Sequence, residues 1–280
     1  MKIFLTGGRG FIGKSFIKKA IKKKFFIYSI SRKNKNKKTK QVQYIKGDLG
    51  DNWFSILKKS DVVVHLAASG VQGDDRNIED IFNTNIIKSY KMIHNAINNG
   101  CKKFVIATTS SEYGKNSLNL KKITKHDARI PVSNYGLSKA IFTDLIKNLS
   151  KNKNCKFRMM RLFPIHGKGE SSHRLFPSLK KAAKAGKNFT VKTPSELRDF
   201  TDVDYASKVL IDCCSFKKHS KKFEIFHVSS SKPLTVAEFA KKIWKKYNAK
   251  GKLLYKNRKK IYTKHVSNLS SNWNLKYEKK

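Results

Sequence analysis

Two short patterns in this 280-residue chain combine residue types and spacing that suit chemistry. The first is Gly7-x-x-Gly10-x-x-Gly13, within Thr6-Gly7-Gly8-Arg9-Gly10-Phe11-Ile12-Gly13. Residues without a Cβ let a backbone turn tightly and approach a pyrophosphate, and a helix beginning there offers N–H groups and a positive dipole end. The second is Tyr135-x-x-x-Lys139. On a helix, residues four apart share a face. An ammonium beside a phenol favours the phenolate, so the pair predicts a Tyr135 pKa drawn down from ~10 towards neutrality. Such a phenol is a general acid/base for interconverting a carbonyl and a hydroxyl. Thr108-Thr109-Ser110-Ser111 adds a cluster of hydroxyls.

The end of the second predicted strand bears on which dinucleotide would bind. A carboxylate there accepts a hydrogen bond from an adenine ribose 2′-OH and repels a 2′-phosphate. Here the residues are Ser31-Arg32-Lys33, and Arg9 lies in the glycine turn. Two guanidiniums and a hydroxyl suit a phosphate dianion, which predicts NADPH over NADH. Each pattern also has a plainer reading: a glycine turn without a ligand, a chance Tyr–Lys spacing, and a Lys33 that belongs only to a lysine-rich surface. His166 and His173 lack a second ligand at metal spacing, so no metal site is predicted. Cys213-Cys214 sit in an apolar helix and are read as packing residues.

The elements that must position these groups follow from periodicity. Lys2 to Leu5, Phe25 to Ser31, Gln43 to Ile45, Asp61 to Ala67, Lys103 to Ala107 and Arg158 to Phe163 read as strands. The continuous apolar run from Asp61 suits a strand buried on both faces. Helices are expected after Gly10, over Asn85 to Asn98 with Gly100 as its cap, and over Tyr135 to Leu149. Residues 33–40, with five lysines, read as a solvated turn. Alternating strands and helices argue for an α/β fold: a doubly wound parallel (Rossmann) sheet covered on both faces, with ligands at the carboxyl edge. Beyond residue 165 come helices at Phe176 to Ala185, Val203 to Cys214 and Val236 to Tyr247, the last with a Thr235/Glu238 capping box, and a strand at Phe223 to Val228. The last 30 residues are lysine-rich and weakly patterned.

Composition bounds the rest. The formal charge is +43, from 62 Lys+Arg against 19 Asp+Glu. Fifty-three of the cations are lysines spread along the whole chain, and only nine are arginines. Specific phosphate and base recognition leans on Arg, so this pattern reads as compositional bias and not as a nucleic-acid site. Apolar runs fall short of the ~20 residues of a membrane span, and the start lacks a secretory signal pattern. Four cysteines without metal or redox spacing suit a reduced, cytoplasmic compartment.

The chain resembles the extended short-chain dehydrogenase/reductases, specifically the NAD-dependent epimerase/dehydratase family that modifies nucleotide sugars. The matching residues run in order: TGGRGFIG at 6–13, GDL at 47–49, HLAA at 65–68, Asn85, TTSSEYG at 108–114, PVSNYGLSK at 131–139, RLFPIHGKGE at 161–170 and RDFTDVDYA at 198–206. The resemblance implies that Gly7, Arg9, Gly10, Phe11, Ile12 and Gly13 cradle the cofactor. It places Ser31 and Arg32 at the ribose, Asp48 and Leu49 at the adenine, and Ala67, Ala68 and Asn85 along the cleft. Thr109, Tyr135 and Lys139 would be catalytic, with Tyr135 and Lys139 also touching the cofactor. Ser110, Ser111, Pro164, His166 and Arg198 would meet the substrate, Arg198 holding its diphosphate. It also implies a homodimer through the helices at 85–98 and 135–149.

Departures narrow the reaction. Family dehydratases carry an Asp-Glu pair where this chain has Ser110 and Ser111, and decarboxylases keep Glu at the second position. Glu112 comes one residue too late and is expected to face away. Pro164 and His166 stand where Asn and Tyr are usual. The expectation is therefore hydride transfer: NADPH-dependent reduction of a 4-keto-6-deoxy sugar nucleotide. A 4-epimerase with tightly bound NAD is the alternative within the class, and a redox-sensing NADP-binding regulator the alternative outside it. Residues 1–165 and 199–229 are expected to form the nucleotide-binding domain. Residues 166–198 and 230–280 are expected to form the smaller sugar-nucleotide part.

Overall fold

A computed structural model describes residues 1–33, 37–71, 77–119 and 122–256. The strands are β1 (Lys2–Thr6), β2 (Phe26–Ser31), β3 (Lys37–Lys38), β4 (Val42–Lys46), β5 (Val62–His65), β6 (Lys103–Thr109), β7 (Lys156–Leu162), β8 (Ile165–His166), β9 (Phe189–Val191), β10 (Leu197–Arg198), β11 (Thr201–Asp202), β12 (Phe223–Val228), β13 (Leu234–Thr235) and β14 (Leu253–Tyr255). The helices are α1 (Phe11–Lys22), α2 (Phe54–Leu57), α3 (Ile78–Phe82), α4 (Ser89–Asn98), α5 (Asn116–Asn119), α6 (Asn134–Asn152), α7 (Leu175–Lys184), α8 (Val203–Asp212) and α9 (Val236–Lys246).

Eight strands form one sheet in the order β12-β7-β6-β5-β1-β2-β4-β3. All pairs are parallel except β3 with β4. The chain winds outward in both directions from β1, so a crevice opens at the carboxyl ends of β1 and β5. Alternation along β1 sorts the two cores. Ile3 and Leu5 pack with Phe16 and Ile17 of α1 and with Val209 and Leu210 of α8. Phe4 packs on the other face with Met92 and Ile93 of α4 and Phe142 and Ile146 of α6. All four residues of β5 are buried, as its unbroken apolar run predicts. A third, smaller core joins Leu179, Val191, Phe239 and Ile243.

Two elements differ from expectation. Within the lysine run, Lys37 and Lys38 pair with Tyr44 and Gln43 and make an exposed antiparallel edge; residues 34–36 lie outside the described set. Charged edges of this kind discourage intermolecular pairing. The helix expected from Asn85 instead starts at Ile78, where the Asn77 side chain accepts from Asp80 N–H, and passes through a π-helical turn at Asn83–Lys88 before α4. The capping box is as expected: Thr235 Oγ1 accepts from Glu238 N–H (3.1 Å) and Glu238 Oε2 accepts from Thr235 N–H (2.7 Å). The terminal segment from 257 lies outside the described residues. Among the described residues no helix is long and apolar enough to cross a membrane.

Candidate active site

The glycine turn is shaped by close approach. Gly7 has φ +71°, and a Cβ on it would stand 2.6 Å from Ala67 N. A Cβ on Gly13 would stand 2.2 Å from the Gly7 carbonyl oxygen. Gly8, which the pattern does not single out, is equally constrained: its Cβ would stand 2.3 Å from Ser29 Oγ. Gly10 caps α1 with no side-chain hydrogen bond, so no side chain closes off the first-turn N–H groups from a ligand. Ile12 packs on the core and can offer only its backbone, while Phe11 lies 3.9 Å from where a Cβ on Gly169 would sit.

A cavity of about 230 Å³ at this turn is lined by Gly7, Arg9, Gly10, Ser31, Arg32, Asp48, Leu49, Ala67 and Ala68. The fold thus gathers nine of the cofactor residues expected from sequence around one space. Arg9 Nη1 donates to the Lys33 carbonyl at 2.9 Å. A second cavity shares Arg9 and adds Lys14, Lys33 and Lys37, so cations crowd this side of the glycine turn. Burial works to raise the Asp48 pKa, but hydrogen bonds from Lys88 and Leu49 N–H and the charges of Lys88 and Arg32 outweigh it and hold the carboxyl below its usual range.

The floor of the cleft is a hydrogen-bond chain. Ala67 N–H donates to Thr6 Oγ1 (3.2 Å), which lies 2.7 Å from His65 Nδ1; His65 Nε2 lies 3.0 Å from Ser89 Oγ, which donates to the Thr84 carbonyl (2.7 Å). Because Ser89 spends its proton on Thr84, the network assigns the proton of His65 to Nε2, leaving Nδ1 to accept from Thr6. Burial, with the nearby Lys139 charge, pushes the His65 pKa down to about 3, consistent with a permanently neutral ring.

Asn85 is the residue expected along the cleft. It is fully buried; its Oδ1 accepts from Ser69 N–H (2.8 Å), and its Nδ2 donates to the Ser69 carbonyl and Ser138 Oγ (3.0 Å each). Its side chain clamps the cleft loop to α6. An isolated Asn in sequence cannot reveal such partners.

Thr109 ends β6 and heads a 3₁₀ turn, Ser110–Glu112, its hydroxyl accepting from Ser111 N–H at 3.2 Å. A Cβ on Gly136 would stand 2.7 Å from the Ser111 carbonyl oxygen, so the glycine after Tyr135 lets α6 press against this turn. That contact brings the Tyr135 phenol into hydrogen bonding with Thr109. Ser111 is half-buried, but Ser110 is turned inward and only 3% exposed, which opposes a direct substrate contact from its side chain.

Protonation in this site reverses the expectation for Tyr135. The ring keeps some exposure, yet burial of the phenol pushes its pKa up to about 12; the Thr109 hydrogen bond and Arg174 work against burial, and Glu112 works with it. Lys139 is buried, and desolvation pushes its ammonium down to about 8 against the supporting charge of Glu112. Spacing alone showed that the pair shares a face but not that burial outweighs their attraction.

A further cavity of about 230 Å³ is lined by Pro164, His166, Glu170, Arg174, Phe176, Arg198, Phe200 and Phe239 among others. His166 lies between Phe176 and Phe239, with ring centroids 5.2 and 5.0 Å away, and burial lowers its pKa. Arg198 does line this cavity, but it is not free: Nε and Nη2 fork onto Glu196 at 2.9 Å each. Arg174, ion-paired to Glu170 at 3.5 Å, was not marked by any motif; its influence on Tyr135 ties this cavity to the phenol. All four cysteines are buried and free.

A family model described as "NAD dependent epimerase/dehydratase family" matches residues 3–228. Among curated proteins, dTDP-4-dehydro-6-deoxyglucose reductase of Escherichia coli is 22% identical over 271 residues, covering 89% of this chain and 82% of that protein. Among solved structures, UDP-N-acetylglucosamine 4-epimerase from Methanobrevibacter ruminantium M1, in complex with UDP-N-acetylmuramic acid, superposes with a TM-score of 0.85 at 22% identity, covering 98% of this chain and 90% of that one. MoeE5, in complex with UDP-glucuronic acid and NAD, gives a TM-score of 0.83 at 20% identity, covering 97% and 91%.

Proposed function

The chain belongs to the NAD dependent epimerase/dehydratase family, and from that membership we propose that it reduces a nucleotide-linked 4-keto-6-deoxy sugar with NADPH. The observation that carries this reading is the company of Tyr135. Its phenol meets Thr109 and follows a turn that carries Ser110 and Ser111 in place of an acid pair, while Glu112 is buried against Arg161 and Arg129. A phenol with a pKa near 12 is protonated at neutral pH, which suits a proton donor better than a proton acceptor.

The cleft fits a dinucleotide: a Cβ would fill the cradle at Gly7 and Gly13, and Arg9, Arg32, Lys14 and Lys37 gather around its adenosine end. When bound there, the cofactor supplies hydride. Tyr135 gives its proton to the forming alkoxide oxygen, Thr109 donates a hydrogen bond to the same oxygen, and the Lys139 ammonium stabilises the phenolate left behind. In the substrate cavity Arg198 and Arg174 would hold the diphosphate, after it displaces Glu196 and Glu170. The third core supports assigning substrate binding to residues 166–198 and 230 onward, and residues 1–165 and 199–229 to the cofactor. The outward Ile87 and Leu137 of the helices at 83–98 and 134–152 suit a homodimer.

A second reading, a 4-epimerase that keeps NAD bound, draws on the likeness to epimerase structures. The test separates them. Incubation with NADPH and a nucleotide-linked 4-keto-6-deoxy hexose should consume NADPH and yield the C4 alcohol. Protein that arrives with bound NAD, consumes no NADPH and interconverts C4 epimers would overturn the proposal.

A further inference from the structure

Two buried polar atoms in the cavity around His166 have no hydrogen-bond partner among the described residues: His166 Nδ1 and Glu170 Oε2. The Glu170 side chain is only 8% exposed. Its other oxygen, Oε1, is ion-paired with Arg174 Nε at 3.5 Å, so the group is a carboxylate and Oε2 can only accept. The turn that carries it is fixed by its backbone. Glu170 N–H donates to the Gly167 carbonyl at 3.3 Å, and Gly167 (φ +146°) and Gly169 (φ +93°) take positive φ on either side of Lys168. The neighbours of the His166 ring are Phe176, Phe200 and Phe239, whose side chains offer a polar atom no partner. Arg198, the other guanidinium of the cavity, is forked onto Glu196. A buried carboxylate oxygen without a donor is costly, and inside a cavity of about 230 Å³ a ligand can bring the donor that the walls lack.

We propose that Glu170 determines substrate specificity by accepting a hydrogen bond from a hydroxyl or an amine on the sugar, with His166 as the second polar contact. The inference rests on the proposed nucleotide-sugar substrate of this cavity and adds which part of the sugar is read. Among the described residues Glu170 is the one acid that lines the cavity, so a donor entering it meets a single carboxylate. A diphosphate that takes Arg174 also releases Glu170 Oε1, which exchanges one ion pair for contacts to both parts of the ligand. On a 4-keto-6-deoxy hexose C4 carries a ketone and C6 belongs to a methyl group, so the ring donors that remain are at C2 and C3. A neutral imidazole can donate or accept at Nδ1, so His166 suits a hydroxyl in either role. A sugar without the donor leaves the carboxylate buried and unpaired, which is how a site built on a polar contact rejects an analogue that lacks it.

The test is equilibrium binding to the full chain, by calorimetry, of UDP-glucose and dTDP-glucose and of their deoxy counterparts at C2, C3, C4 and C6 and amino counterparts at C2 and C3. Wild type should bind the 2-deoxy or the 3-deoxy sugar at least about tenfold more weakly than the parent. In Glu170→Leu that ratio should fall below about threefold, and in Glu170→Gln, which keeps an acceptor oxygen, it should lie between the two. An amino counterpart bound more tightly than the parent makes an amine the donor; one bound more weakly makes it a hydroxyl. A Glu170 that only anchors Arg174, or that bonds only water, would cost parent and deoxy sugars equally when replaced. Equal ratios in wild type and Glu170→Leu therefore overturn the proposal and leave the reduction standing. Should Glu170→Leu fail to fold, wild type and Glu170→Gln decide: deoxy sugars bound as tightly as the parent, a ratio unchanged in Glu170→Gln, or no probe bound, overturns it. Tenfold discrimination at C4 or C6 that is lost in the Glu170 variants would uphold the role of Glu170 and count against a 4-keto-6-deoxy substrate.

Discussion

Replacing Arg32 with alanine is expected to weaken NADPH about tenfold and leave NADH nearly unchanged. Arg32 is exposed at the rim of the glycine-turn cavity, beside Ser31 and across from Arg9. A charge-assisted hydrogen bond to a phosphate contributes ~1.5–3 kcal/mol. Solvent and salt screen an exposed guanidinium, which puts Arg32 at the lower end, about 1.4 kcal/mol, or one factor of ten. Arg9 is also exposed, but it is tethered to the Lys33 carbonyl, so Arg9→Ala should cost a similar factor and loosen the loop for both cofactors. The assay is KM for each cofactor in wild type and variant at low and high ionic strength. An NADPH preference set by this charge should shrink as salt rises, as a screened charge requires. Equal losses for NADPH and NADH, or a preference indifferent to salt, would refute the argument that Arg32 reads a 2′-phosphate.

Tyr135→Phe should lower kcat by about 10²–10⁴ while cofactor Kd stays within about twofold, because only a proton donor is removed; turnover and fluorescence titration check this. Gly13→Ala should abolish cofactor binding and destabilise the fold by ~1–3 kcal/mol or more, since its Cβ meets backbone at 2.2 Å. Gly100→Ala, with φ +85° and open space, should cost only ~1 kcal/mol by urea unfolding. His65 and His227 are both held neutral, with pKa values of about 3. Unfolded, they take up protons below about pH 6.5, so the stability they contribute is present above that pH and lost as pH falls from 6.5 towards 3. At pH 5 the two together should remove about 4 kcal/mol relative to pH 7.5, measurable by denaturant unfolding.

How much of this was legible in the sequence depended on distance along the chain. The glycine turn, the Tyr135–Lys139 face and the Thr235 cap are local, and their geometry follows from spacing alone. The parallel sheet was legible because most of its strands are followed by a helix pattern. What failed was non-local. The pKa of Tyr135 is governed by how α6 buries it against the Ser110–Glu112 turn, through a contact at Gly136 that no periodicity marks. Glu112 finds its partners 17 and 49 positions further along the chain, at Arg129 and Arg161. Arg198 was expected to hold a diphosphate, but Glu196, two residues away, had not been read as its partner. Asn85 clamps the cleft loop because Ser69 and Ser138 converge on it from two other elements.

The central place of β1 also sets an order of assembly. Its neighbours β2 and β5 are both in hand once residue 65 has been made, so the innermost pairings of the sheet need only the first quarter of the chain. The sheet is finished only when Phe223 of β12 finds Phe157 of β7, and the cavity around His166 only when Phe239 arrives. Chains fold from the amino terminus as they are synthesised, and pairings so far apart are slow. The central strands can therefore pair while the edge strand β12 and the cavity around His166 are still unmade, so the centre of the sheet is laid down before its margin.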